Sequence, residues 1–319
     1  MNTPRDLSRR PIRVLAMDGG GIRGIVPCKV LEFIETQTGY RIHQLFDMIA
    51  GTSTGGMLAC GLTKANPKTA RQMRSMYMDR GPEIFSRSWG ESFKSAGGMV
   101  GPKFGSTGID KVLCDEFGSQ KLGECITPTM LTAYEIQMRM PIFFTSWRNG
   151  DNYLRSVCRA TSAGPTYFPP AHFGPGPNLM GAYVDGGLVA NNPAMNALIE
   201  ACTMYECSFS DVVVLSLGTG SDEQPIMYKD CVGWGAVKWV RPLIGILMDG
   251  ASSLVHYQME KIMSPDRYLR LQASVDGDMG AMDNVALSNM VKLENLGQKI
   301  VDANRQQLLA LCTHLIPSE

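Results

Sequence analysis

Short apolar runs of strand length alternate along this chain with longer stretches whose apolar residues recur every three or four positions. The run 12–17, IRVLAM, predicts a buried strand, and 25–38, IVPCKVLEFIETQT, predicts a helix ending at Gly39. In that helix Val26, Val30, Phe33 and Ile34 fall on one face, the spacing of a core-facing helix. LFDMIAG (45–51) reads as a second strand, GMLACGL (56–62) opens a second helix, and PKTARQMRSMYMD (67–79) starts at a proline with helical spacing behind it. SAGGMVGPKFGSTG (95–108) is broken by glycines and reads as a mobile loop. TMLTAYEIQ and PIFFTSW predict adjacent strands, YLRSVCRATSA a helix closed by GPTYFPP, AMNALIEACTMYEC another helix, and DVVVLSLGTG a strand. Strand and helix patterns alternate from residue 12 to about 220, which argues an α/β fold with a mainly parallel sheet flanked by helices. The tail adds the apolar GWGAVKWVRPLIGILMDG, a strand at DRYLRLQ and one closing helix from about 286 to 313. No repeat or linker divides the 319 residues, so 1–319 is expected to be a single domain, with 221–319 as a C-terminal extension packed on it.

Composition narrows the functional classes. Lys+Arg 30 balances Asp+Glu 30, so no global field draws nucleic acid or an anionic bilayer, and any membrane contact must be local. The N-terminal MNTPRDLSRRP has no apolar segment behind it that would form an export signal. Nothing approaches the ~18 consecutive apolar residues of a spanning helix. The nine cysteines are scattered without a C-x-x-C pair, which argues against zinc and fits a reducing compartment. A cytoplasmic protein is the expectation.

The glycines at 19–21 and 24 pose a choice. Gly19-Gly20-Gly21-Ile22-Arg23-Gly24 follows the first strand and fits the dinucleotide-binding pattern G-x-G-x-x-G. That reading needs an acidic residue about 20 positions on, at the end of the second strand, to hold a ribose. Position 44 is Gln, and Asp47 lies near the strand's start. The strand's end carries Gly51-Thr52-Ser53-Thr54-Gly55 instead, a G-x-S-x-G between strand and helix that lifts a serine hydroxyl on a sharp turn. With two glycine turns facing one crevice, the first reads as an oxyanion hole built from the backbone N–H groups of Gly19, Gly20 and Gly21. Arg23 would brace that loop or face anionic lipid headgroups. Taken singly, each motif also fits a plain small-residue loop or tight strand–helix packing.

A serine nucleophile needs a base. His43, His172, His256 and His314 are the only histidines, and none follows a strand in a glycine-rich turn. Asp185, in YVDGG, follows an apolar run and precedes two glycines that would present its carboxylate at a strand end. In contact with the serine and short of water, it can take the hydroxyl proton directly. The following VANNPA supplies amides that could orient it.

DGGGIRG, GTSTGG and VDGG, in this order and together with RATSAGPTYFPP, NNP and LSLGTG, resemble the signature blocks of the patatin-like phospholipase family over roughly residues 12–220. The resemblance implies a three-layer α/β/α fold and hydrolysis of glycerolipid acyl esters by a serine–aspartate dyad, with no metal or other cofactor. It carries the nucleophile to Ser53, the base to Asp185, the oxyanion donors to Gly19, Gly20 and Gly21, and supporting roles to Arg23, Gly51 and Gly55. Membrane phospholipids at the inner face of the membrane would be the substrate. A short chain of this kind also resembles the bacterial phospholipase effectors of antiphage signalling, which implies activation by a cyclic dinucleotide; a homo-oligomer stays open, and no nucleic-acid partner is expected. Trp234, Trp239, Leu243, Ile244, Ile246 and Leu247 cluster as an interfacial anchor or, alternatively, as core or a subunit contact. The acidic VDGDMGAMD (275–283) lacks the glycine turn and closing glutamate of a calcium loop and reads as a solvated loop. A non-catalytic lipid or nucleotide sensor and a non-lipid esterase using the same dyad are the competing functions.

Overall fold

The computed structural model describes residues 10–86, 101–174, 180–222 and 224–316. The first six-residue run forms strand β1 (Ile12–Met17), buried at every position. Its side chains divide by parity, as a strand's must. Ile12, Val14 and Ala16 join one apolar cluster and Leu15 and Met17 the other, so the strand is covered on both faces. Helix α1 (Ile25–Thr38) buries Ile25, Val26, Val30, Leu31 and Ile34. It stops where expected, because Gly39 takes the left-handed conformation (φ 74°) and returns its N–H to the Glu35 carbonyl.

Strand β2 (Met48–Thr52) leads into α2 (Thr54–Thr63) and then α3 (Ala70–Ile84), which Thr69 and Gln72 cap reciprocally. After α4 (Thr107–Phe117) come the hairpin β3 (Thr129–Glu135) and β4 (Met140–Thr145), and α5 (Leu154–Thr161). Then follow β5 (Ala171–Phe173), β6 (Gly181–Asp185), the single turn α6 (Gly187–Ala190), α7 (Ala194–Tyr205) and β7 (Val212–Leu217). The remainder comprises β8 (Ser221–Asp222), α8 (Ala236–Ile262), β9 (Tyr268–Leu271), β10 (Ser274–Val275), α9 (Leu287–Ala303) and α10 (Arg305–Leu315).

The main sheet runs β5-β6-β3-β2-β1-β7-β9, with β4 paired to β3. The five strands β3, β2, β1, β7 and β9 are parallel, and β4, β5 and β6 join antiparallel. α1 to α5, α9 and α10 supply the apolar cluster on one face, and α7 with the end of α8 covers the other, giving the α/β/α layering. Strand β9, from the C-terminal third, extends this same sheet.

One register decides where the chemistry sits. β4 pairs along β3 from Met130 to Glu135, while β2 pairs with Thr129–Thr132 and β6 with Ala133–Glu135. β2 and β6 therefore share one edge of β3 and meet end to end. Thr52 lies opposite Thr132, and Asp185 lies opposite the next residue, Ala133.

Several expectations need correction. The second strand starts at Met48 rather than Leu45, which ends a short helical turn at Ile42–Leu45. The glycine-rich stretch read as a mobile loop lies outside the described residues as far as 100, and its end, Thr107, begins the unexpected α4. The closing helix is two helices separated at Asn304, whose side-chain amide and backbone N–H both bond the Ile300 carbonyl and end α9. The 275–283 loop is not simply solvated: the Met282 carbonyl accepts the Ile22 N–H at 2.8 Å, so it docks on the first glycine turn.

Candidate active site

Ser53 sits between β2 and α2 with φ 54° and ψ −120°, a backbone state an L-residue adopts at a cost of order 1–3 kcal/mol. The turn is held by what flanks it. A Cβ on Gly51 would overlap the Gly55 carbonyl, and one on Gly55 would overlap the Met17 carbonyl, so both positions require glycine for close packing. The Ser53 N–H donates to Thr161 Oγ1 at 2.8 Å, anchoring the elbow to the end of α5.

The Ser53 hydroxyl donates to Asp185 Oδ2 at 2.7 Å. Both residues are buried. Asp185 Oδ1 accepts the Gly187 N–H at 2.7 Å, so the second glycine of the motif fixes the carboxylate's rotation. The asparagines expected to do this do not: Asn191 Nδ2 donates to Ser252, and Asn192 Oδ1 accepts from Ala194 and Ser216. Burial pushes Asp185 up to about 6, opposed by its bonds from Ser53 and Gly187. A carboxylate so placed is a stronger base than one in water and ionises close to neutral pH. None of the four histidines lines the Ser53 pocket.

The first glycine turn packs against the elbow, with a Cβ position on Gly19 lying 3.2 Å from Ser53 Cβ. The Gly19 N–H donates to the Asn191 carbonyl at 3.2 Å. Among the described residues the N–H groups of Gly20 and Gly21 bond no carbonyl, and Gly21 (φ 59°) lines the pocket beside Ser53. Arg23 is buried and donates to the carbonyls of Gly20 (3.4 Å) and Gly280 (3.3 Å), which makes it the brace of the loop.

Sequence reading missed the rest of the support. Asp18, just before the glycines, is held by the two terminal guanidinium nitrogens of Arg270 on β9, at 2.7 and 2.5 Å, with both side chains buried. Burial raises the Asp18 carboxyl above its usual value and Arg270 opposes this. Thr219 Oγ1 donates to the Gly19 carbonyl at 2.6 Å, and Ser252 of α8 bridges Asn191 and Asp18. LSLGTG contained Thr219, but nothing local singles out Arg270.

The pocket over the dyad is apolar. Met57, Ile84, Phe85, Ile109, Phe168 and Leu188 line it, and Ile244 and Met248 of α8 form its outer wall. α8 also leaves Val237, Val240, Leu243, Ile246 and Leu247 between 45% and 74% exposed. Val237 and Val240 share the face of Ile244 and Met248 and line a neighbouring cavity with them, whereas Leu243, Ile246 and Leu247 line neither cavity. Trp234 and Trp239 pack edge to face at 5.2 Å beside them. All nine cysteines are free, and no group of metal-ligating side chains occurs among the described residues. No described helix is long and apolar enough to cross a membrane.

Known proteins similar to this chain include plant patatin-like proteins. Patatin-like protein 1 of Arabidopsis thaliana is 28% identical over 93% of this chain and 83% of its own length. A protein named probable inactive patatin-3-Kuras 1, from Solanum tuberosum, is 27% identical over 91% of this chain and 86% of its own length. The crystal structure of VipD from Legionella pneumophila superposes with a TM-score of 0.45 and 11% identity, covering 92% of this chain and 67% of that one. The family pattern described as patatin-like phospholipase matches residues 15–198, which include both glycine turns, Ser53 and Asp185. The chain belongs to the patatin-like phospholipase family, a family of serine hydrolases acting on lipid acyl esters.

Proposed function

We propose that this protein cleaves fatty-acyl esters of membrane glycerophospholipids with Ser53 as nucleophile and Asp185 as its base. The observation that carries the reading is the 2.7 Å hydrogen bond from the Ser53 hydroxyl to Asp185 at the floor of an apolar pocket. Asp185 takes the hydroxyl proton as Ser53 attacks the ester carbonyl. The oxyanion that forms is met by the N–H groups of Gly20 and Gly21, with Gly19 holding the turn through Asn191. The loss of one such donor costs roughly 100- to 1000-fold in rate. Asp185 then returns its proton to the leaving lysolipid oxygen, and a water molecule, deprotonated by the same carboxylate, frees the fatty acid from the acyl-enzyme.

The apolar pocket favours a lipid over a small ester, and the exposed apolar face of α8 beside its mouth suits contact with a membrane surface at the cytoplasmic side. The whole chain acts as one domain in this reading, because β9 and α8 supply parts of the site. Control by a cyclic dinucleotide, and a role in antiviral defence, are carried by the sequence resemblance.

Purified protein and its Ser53→Ala form, incubated with mixed phospholipid vesicles with and without a panel of cyclic dinucleotides, test the proposal by fatty-acid release. Release that requires Ser53, with an acyl adduct on Ser53 by mass spectrometry, supports it; dependence on one nucleotide supports the switch. Equal release from Ser53→Ala would sink the dyad, and hydrolysis of soluble esters without vesicles being touched would move the protein to the non-lipid esterases.

A further inference from the structure

A second cavity, of about 460 Å³, lies at α5 on residues that the dyad does not use. Arg155 and Arg159 are four apart on that helix, the spacing that puts two side chains on one face. Both line the cavity, with Ser106, Ser156 and His172. Asp110 is the one acidic residue in its lining, and it is half exposed.

The two arginines are incompletely satisfied. Arg159 is buried; its Nε donates to Asp110 at 3.1 Å and its Nη2 to the Pro169 carbonyl at 2.8 Å, but Nη1 has no partner. Burial lowers its pKa, so its charge is incompletely compensated where it sits. Arg155 donates to the Gly118 carbonyl and lies over the Tyr153 ring at 4.6 Å, and no described carboxylate comes within ion-pair distance of it. Two guanidinium groups facing one carboxylate leave an unmatched positive charge in a cavity with room for a ligand. Planar guanidinium forks match the paired oxygens of a tetrahedral oxyanion.

We propose that this cavity is a binding site for a phosphoryl group, held by Arg155 and Arg159 with the hydroxyls of Ser106 and Ser156 at its rim. The site is distinct from the Ser53 pocket, yet one helix connects them. Thr161, at the end of α5, accepts the Ser53 N–H. The Arg159 guanidinium lies 5.8 Å from the ring of Phe168, which lines the Ser53 pocket. Ligand that draws the two arginines together therefore acts on the helix that anchors the nucleophile's turn. A free phosphate ester and a lipid headgroup share the chemistry the cavity offers.

Binding of pyrophosphate to the full-length Ser53→Ala protein, measured by titration calorimetry, tests the site with no demand on catalysis, so its outcome is independent of the dyad. A parallel arm measures co-sedimentation with phosphatidylcholine vesicles with and without phosphatidic acid. Arg155→Gln is the informative variant, since Arg155 is half-buried and makes no ion pair, and its melting temperature checks folding. The expected result is saturable binding that weakens about tenfold or more in Arg155→Gln, the loss of one charge-assisted contact, and is partly restored in Arg155→Lys. Arg155-dependent binding of pyrophosphate identifies a soluble ligand, and Arg155-dependent binding confined to phosphatidic acid vesicles identifies a headgroup. The proposal is overturned when neither probe binds, or when both bind equally well to folded Arg155→Gln.

Discussion

The glycine-turn region and helix α8 treat apolar residues in opposite ways. Around Ser53 every residue of β1, β2 and α2 is buried, and the proposed nucleophile, base and oxyanion turn rest on paired strands. In α8 the inward side chains Ile244, Met248 and Ser252 touch the site, while Leu243, Ile246 and Leu247 are exposed outside its cavities. Burial gives the first region fixed geometry and raises the pKa of its Asp185 carboxyl. Exposure gives the second a surface on which lipid can be met. Ser252 of α8 joins the two through Asn191 and Asp18, and Arg270 of β9 holds Asp18 from the other side, so their contributions can be separated by mutation.

The largest effect is expected at the buried end. Asp185→Asn removes the base and should lower fatty-acid release by roughly 10⁴-fold, as the loss of an orienting or accepting carboxylate does in serine hydrolases. The same change should stabilise the protein. Asp185 is raised from 3.8 to about 6 by burial, so the folded state holds its proton more tightly than the unfolded chain. Stability linked to this group is present below the unfolded value and is lost as pH rises through about 6, a cost of roughly 3 kcal/mol at neutral pH. Thermal melts should show Asp185→Asn above wild type at pH 7.5, with the gain shrinking towards pH 4. Activity of the wild type should rise over the window in which this stability falls, because only the ionised carboxylate accepts the proton.

Next in size is the support beneath the first glycine turn. Arg270→Ala leaves Asp18 buried without its partner, which should cost about 3–5 kcal/mol in a denaturant titration. At temperatures where the variant stays folded, kcat should drop by roughly 100-fold with KM little changed, the signature of a disturbed oxyanion turn. An unchanged kcat in folded protein would show that the turn does not need its brace.

The smallest effect should come from the exposed surface. Leu243→Glu with Leu247→Glu replaces two outward residues that line no described pocket, so the melting temperature should hold. Release from vesicles should decline by roughly tenfold while hydrolysis of a soluble short-chain ester stays within about twofold. Equal loss on both substrates would place this face inside the catalytic machinery.

Much of the site was legible because its parts are local. The glycine turn, the G-x-S-x-G turn and the aspartate before two glycines each encode a backbone shape within a few residues, and β1, α1, β6 and β7 begin and end close to where their apolar runs do. The amides thought to orient Asp185 were misread, because the Gly187 N–H two residues away does that work and an N–H leaves no mark in side-chain pattern. The helix at Thr107–Phe117 was missed behind its glycines and the break at Asn304 inside a continuous apolar period.

By itself, then, the sequence determined the α/β class, the strand-to-helix turns and the residues able to act as nucleophile and base, since these follow from steric freedom and periodicity over short stretches. Only the tertiary structure decided that β2 and β6 meet end to end along β3, placing Ser53 and Asp185 within one hydrogen bond across 132 residues. It also decided that Arg270 reaches back 252 residues to Asp18, and that α8 turns one face to the pocket and leaves the other bare. Pairings of that span depend on how the sheet is ordered and on which surfaces its helices cover, and neither is written in any short run of residues.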